Sequence, residues 1–197
     1  MKEQQERLGK CIYLNGATSA GKSSIARELQ KLLQEPYLHV EMDAFLLMMP
    51  GCYLGSEETA KEGFYWKESY DNEGQKIIEI EIGPIGKRLR SGMYGSWVAL
   101  LNAGNNLIID DVNFGRDQVD IVKQLLASYH STFVGVKCEL AELERRERRR
   151  GDRVLYTARA QYALVHRNVI YDYEVDSTTF SAIECAKQIK NYLFTEI

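Results

Sequence analysis

The chain has 197 residues, 45% of them hydrophobic, and a net charge of −3 from 25 basic and 28 acidic side chains. That is enough apolar material for a sizeable core, and the slight acidity excludes a general attraction to nucleic acid or membrane surfaces. No apolar run approaches the roughly 20 residues that cross a bilayer, the lead-in over residues 1–7 is polar, and the four cysteines form no C-x-x-C pair. A secretory leader, a zinc framework and a disulfide framework are therefore all unexpected, and a reducing cytoplasm is the expected location.

The first informative stretch runs from Lys10 to Ser24. An apolar strand over about Lys10–Leu14 ends in Asn15, a glycine-bounded loop follows, and a helical pattern begins at Lys22. Gly16, Gly21, Lys22 and Ser23 have the spacing G-x-x-x-x-G-K-[ST] of a phosphate-binding loop. The glycines let successive backbone N–H groups turn inward around phosphate oxygens, with Lys22 as a point charge and the Ser23 hydroxyl as a Mg²⁺ ligand. The nine residues Gly16, Ala17, Thr18, Ser19, Ala20, Gly21, Lys22, Ser23 and Ser24 are the expected nucleotide cradle, which points to a nucleoside triphosphate. The helix behind them, to about Gln34, puts Ile25, Leu29, Leu32 and Leu33 on one face.

A second apolar segment, Tyr37–Met42, delivers Asp43 at its carboxyl end, on the ligand side of an open parallel sheet. Residues 51–83 read as an insertion, with a hairpin turn at Asp71–Gly74 and a strand whose alternation Ile78-Glu79-Ile80-Glu81-Ile82 leaves one face wet. It is either a substrate-side element or a decorative cover. Tyr53, Phe64, Tyr65 and Phe114 are candidates either to stack on an acceptor or to fill core. A long helix follows from Pro84 to about Ala103. The run Asn106–Val112 is a buried parallel strand ending in acid, and Asp110 or Asp111 is the candidate Mg²⁺ ligand alongside Ser23.

Beyond a helix over about Arg116–Tyr129 and a strand over about Ser131–Cys138, six arginines fall within positions 145–153. Glu142–Arg146 and Glu144–Arg148 have helical i, i+4 spacing, which does not involve Arg149, Arg150 or Arg153. With a P-loop upstream, the run reads as a lid whose guanidinium groups close over the transferring phosphate. A helix to about His166, a strand over Tyr171–Asp176 and a final helix capped by Ser181 with Glu184 complete the chain. Five strands alternate with helices, so the expected class is a three-layer α/β/α domain around a parallel sheet. The whole span 1–197 reads as one such domain, with the insertion over about 51–83 and the lid over about 139–156.

Taken in order, Asn15–Ser24, Met42-Asp43-Ala44-Phe45, Ile82-Gly83-Pro84, Leu107–Asn113, Arg150-Gly151-Asp152-Arg153 and the tail Gln161-Tyr162, Val165-His166, Tyr171-Asp172, Glu174-Val175-Asp176 closely resemble the chloramphenicol 3-O-phosphotransferase-like family of P-loop kinases. The resemblance implies a nucleoside-monophosphate-kinase-like fold with strand order 2-3-1-4-5. It also implies ATP- and Mg²⁺-dependent phosphorylation of a hydroxyl on a small molecule, with a chloramphenicol-like acceptor suggested. By that resemblance Asp43 matches the catalytic base, and Arg146, Arg150 and Arg153 match the lid arginines. Residues 51–55 do not follow the antibiotic-modifying members, so fold and reaction type carry over better than the acceptor. A toxin-type nucleotide-sugar kinase and a non-catalytic ATP-binding regulator are the alternatives. No nucleic-acid or membrane partner is expected.

Overall fold

The computed structural model describes residues 8–151 and 154–195. In chain order the elements are β1 (Cys11–Asn15), α1 (Lys22–Leu32), β2 (Tyr37–Glu41), α2 (Met42–Leu46), β3 (Leu54–Gly55), β4 (Phe64–Tyr70), β5 (Lys76–Ile82), α3 (Pro84–Asn102), β6 (Asn106–Asp111), α4 (Gly115–Leu125), β7 (Ser131–Lys137), α5 (Leu140–Arg150), α6 (Thr157–Val165), β8 (Tyr173–Asp176) and α7 (Ala182–Thr195). Five strands form one sheet in the order β2-β6-β1-β7-β8, with every neighbouring pair parallel. Counted within that sheet alone, the order is 2-3-1-4-5.

Side-chain alternation divides the core between the two faces. Ile12 and Leu14 of β1 pack with Ile108 of β6 against Ile25 and Leu29 of α1 and Ile189 of α7. Cys11 and Tyr13 pack with Leu107 and Ile109 against Met93 and Trp97 of α3 and Val122 of α4. Both faces being covered explains why these strands read as continuous apolar runs. The alternation carries through to the end of β6. Asp110 emerges on the α1 face and Asp111 on the α3 face.

Residues 54–82 form a separate three-stranded sheet, β3-β4-β5, in which β4 and β5 are an antiparallel hairpin. The Asp71 carboxylate accepts the N–H groups of Glu73 and Gln75 at 2.9 and 2.8 Å, which closes the turn. Glu79 and Glu81 are exposed, but so is Ile80 on the opposite face, and the buried residue of β5 is Ile77, so the strand is wetter than the alternation predicts; Phe64 is buried under α3 and belongs to the core. The hairpin leans on the arginine-rich region. Arg159 of α6 binds Glu144 of α5 at 2.7 Å and Asp71 at 3.0 Å, and the Ile78 amide donates to the Tyr156 carbonyl.

Several boundaries differ from expectation. The segment after β2, too short to classify by periodicity, is the helix α2. The last strand begins at Tyr173 rather than Tyr171: the Asp172 carboxylate takes the Phe133 amide at 2.7 Å in place of a ladder carbonyl, which leaves Tyr171 outside the strand. Its ring lies over Gly135, where a Cβ would stand 2.6 Å away, and its hydroxyl meets Asn15 and His166. Among the described residues, no helix is long and apolar enough to cross a membrane.

Candidate active site

At the carboxyl ends of the parallel strands lies a cleft of about 950 Å³, bounded by the loop between β1 and α1, by α2, by the end of β6 and by α5. Thr18, Ser19, Gly21, Lys22, Ser23 and Ser24 line it. Gly16, Ala17 and Ala20 lie beneath, where a Cβ on Gly16 would come within 2.7 Å of the Val136 carbonyl. Gly21 has φ 90°, a backbone geometry that an L side chain resists, and it aims the first turn of α1 into the cleft.

The loop is pinned from behind by groups that spacing alone did not single out. Gln161 of α6 accepts the Thr18 amide at 2.7 Å, and Ser177 donates to the Ala20 carbonyl at 2.8 Å. Asn15 exchanges hydrogen bonds with the backbone of Asn113 and donates to the Tyr171 hydroxyl at 2.8 Å. Gln161 shares a helix face with buried Ala158 and Val165, so a polar residue in that apolar stripe was the available signal. Ser19 has φ 62°, and its buried hydroxyl has no hydrogen-bond partner among the described residues. A strained loop with an orphaned donor and inward amides is chemically suited to an anion.

Lys22 is nearly buried, with its ammonium 3.0 Å from the Gly16 carbonyl, 3.1 Å from that of Ala17 and 3.6 Å from Asp110 Oδ1. The Ser23 hydroxyl donates to Asp110 Oδ2 at 2.5 Å. Burial pushes the Asp110 carboxyl up, but the Lys22 ammonium and the neighbouring His39 and Ser23 side chains outweigh it, leaving the group below its ordinary range and ionised. A hydroxyl and an ionised carboxylate side by side at a phosphate-binding loop form an oxygen donor set that suits Mg²⁺.

Asp111 has a different environment. Its carboxylate accepts Asn113 Nδ2 at 2.7 Å, the Val112 amide at 2.8 Å and the Tyr13 hydroxyl at 3.3 Å. Burial, which outweighs the pull of Arg90, holds its pKa above the ordinary carboxylate value. The sequence left Asp110 and Asp111 as equal candidates for the metal; both line the cleft, but the structure brings Asp110 to Ser23 and engages the Asp111 carboxylate with Asn113, Val112 and Tyr13.

Asp43, in the first turn of α2, lines the same cleft as Lys22, Ser23 and Asp110. Arg146 crosses from α5 to the loop. Its guanidinium donates to Glu142 at 2.7 Å and to the Ser177 carbonyl at 2.6 Å, and it stands 3.6 Å from where a Gly21 Cβ would be. Arg149 and Arg150 line the cleft, whereas Arg153 lies outside the described residues. Arg145 is paired doubly with Glu142, whose pKa those two arginines lower to about 2. Glu147, on the opposite side of α5, is 2% exposed and accepts from the Tyr156 and Ala158 amides and the Thr157 hydroxyl. It caps α6 and so fixes Gln161 against the loop.

Of the aromatics considered for acceptor stacking, none lines this cleft. Its apolar wall is made by Leu46, Leu47, Leu54 and Phe180.

Comparison with known proteins decides the family. The model of the family "Chloramphenicol phosphotransferase-like protein" matches residues 9–194. The chain belongs to the chloramphenicol phosphotransferase-like family. A Mycobacterium tuberculosis relative named "Putative O-phosphotransferase Rv2636" is 31% identical over 181 residues, covering 92% of this chain and 80% of the relative. In fold, the chain is similar to the M. tuberculosis APS kinase CysC, solved with AMPPNP and APS (TM-score 0.63, 14% identity, 95% of this chain and 98% of that one). It is likewise similar to a gluconokinase from Sinorhizobium meliloti 1021 (TM-score 0.56, 15% identity, 98% and 99% covered). Family membership and fold together make the protein a P-loop kinase-like phosphotransferase.

Proposed function

We propose that this member of the family transfers the γ-phosphoryl group of ATP to a hydroxyl of a small molecule. The observation that carries the reading is the convergence of Asp43, Lys22, Ser23 and Asp110 on one cleft. Lys22 and the loop amides bind and orient the polyphosphate, and the water-poor floor strengthens each of those contacts. Ser23 and Asp110 would hold the Mg²⁺, which when bound offsets negative charge on the phosphates. The Asp43 carboxylate takes the acceptor's hydroxyl proton as the oxygen bonds to phosphorus and the ADP oxygen departs. Arg146, Arg149 and Arg150 supply positive charge at the equatorial oxygens; Arg153 is proposed with them on the family resemblance.

The leucine wall of α2 and Leu54 supports an acceptor whose alcohol sits on a compact apolar body, and a chloramphenicol-like alcohol has that chemistry. The test is a panel of hydroxylated compounds, chloramphenicol included, incubated with γ-labelled ATP and the full chain. Label on a small-molecule alcohol that disappears in Asp43→Asn supports the reading. Label on a nucleotide sugar instead would identify the alternative kinase, and tight ATP binding with no transfer to any alcohol would leave a regulator.

A further inference from the structure

His39 stands on β2 two residues before Glu41, and both side chains share the α1 face of the sheet with Asp110. The register explains the convergence, since His39 pairs with Ile108 and Glu41 pairs with Asp110. The imidazole Nδ1 lies 3.2 Å from Glu41 Oε1, which Arg27 also approaches at 3.3 Å. Nε2 faces Asp110 Oδ2 at 3.7 Å. The side chain is 8% exposed, and Nε2 has no hydrogen-bond partner among the described residues.

A separation of 3.7 Å is too long for a hydrogen bond. It does suit a nitrogen and an oxygen that share one cation, because two ligands at bonds of about 2.1 Å stand roughly 3–4 Å apart. Ligating imidazoles commonly give their second N–H to a carboxylate, which fixes tautomer and ring orientation. Glu41 occupies that position here. One donor atom from each of His39, Glu41 and Asp110 lies within 4.8 Å of the others.

We infer that His39 Nε2 is a further ligand of the divalent cation held at Ser23 and Asp110, with Glu41 orienting the ring. The inference rests on the reading of Ser23 and Asp110 as the cation's ligands. It has a chemical consequence. Mg²⁺ takes oxygen donors almost exclusively, whereas Mn²⁺ and later first-row ions accept imidazole readily. A nitrogen in the donor set shifts the preference of this chain towards Mn²⁺.

The experiment uses the full chain, uniformly ¹⁵N-labelled, with unlabelled ADP and Mn²⁺ as the probe. Pulsed EPR should detect a directly bonded ¹⁵N, which the ADP cannot supply, and the coupling should vanish in His39→Gln. Titration of the free Mn²⁺ signal should show an affinity about tenfold weaker in that variant. Bound Mn²⁺ with no protein nitrogen coupling in the wild type would overturn the inference and leave the Ser23–Asp110 reading intact. Wild-type Mn²⁺ affinity in Asp110→Asn would overturn both. The wild-type spectrum needs no variant, so misfolding of His39→Gln does not blunt the test.

Discussion

Asp110 and Asp111 are consecutive in the chain and belong to opposite faces of the sheet, one bonded to Ser23 and the other to Asn113. Their substitutions should separate accordingly. Asp110→Asn should weaken Mg²⁺-dependent nucleotide binding by roughly tenfold or more, and should also lower the thermal midpoint, because it removes the charge facing the nearly buried Lys22 ammonium. Asp111→Asn should leave nucleotide binding close to wild type while costing about 1–3 kcal/mol of stability through its disturbed buried hydrogen bonds. Calorimetric titration with MgATP and thermal unfolding on the same preparations check both. Identical effects on the two readouts would show that the faces are not distinguished.

Lys22→Ala should reduce ATP affinity and turnover together, each by about 10–100-fold, as expected for losing charge-assisted bonds to phosphate. Calorimetry and steady-state kinetics provide the check, and unchanged values in both would count against the cradle.

Asp43→Asn should keep ATP binding within about twofold and lower transfer by roughly 10²–10⁴-fold, the usual range for a general base. Near wild-type turnover on the true acceptor would remove Asp43 from the mechanism.

Glu147→Ala strips one acceptor from the half-buried Tyr156 amide, the buried Ala158 amide and the Thr157 hydroxyl at the start of α6. A loss of about 2–4 kcal/mol is expected, read by denaturant unfolding. ATP affinity should fall as well, because Gln161 rides on the same helix. Stability lost with affinity intact would mean that α6 does not support the loop.

Burial, and secondarily the Lys137 ammonium, lower the His166 pKa to about 4, against an ordinary value near 6.5. The native imidazole stays neutral while the unfolded chain binds a proton, so this contribution is complete above about pH 6.5 and is lost as pH falls towards 4. Allowing for partial exposure, about 2 kcal/mol is at stake. Thermal midpoints recorded between pH 6.5 and 4 should decline less steeply in His166→Gln than in the wild type. Parallel slopes would assign the acid sensitivity elsewhere.

The frame of the fold was legible because its signals are local. The phosphate-loop spacing, the apolar run ending in Asp110 and the i, i+4 faces of α1 and α4 each follow from backbone periodicity. The site was legible only in part. Gln161, Ser177 and Glu147 act by binding backbone groups remote in sequence, and no spacing rule encodes a side chain that reaches across 143 residues to an amide. Asp110 and Asp111 could not be ranked until the strand's phase against α1 was fixed, although alternation already required that they diverge. The aromatics stayed open between stacking and core for a related reason. Phe64 looks like a ligand surface in isolation, and the packing of α3 over the hairpin is what buries it.

Arg159 clasps Glu144 on one side and Asp71 on the other, joining the helix that carries the cleft-lining arginines to the tip of the hairpin. Neither piece can reorient relative to the other without breaking that clasp. The hairpin's parallel partner β3 reaches the cleft at Leu54. In the proposed reaction the arginine-bearing helix and the hairpin beside the cleft are therefore geared to each other, so a substitution at the hairpin tip will also disturb where the arginines sit.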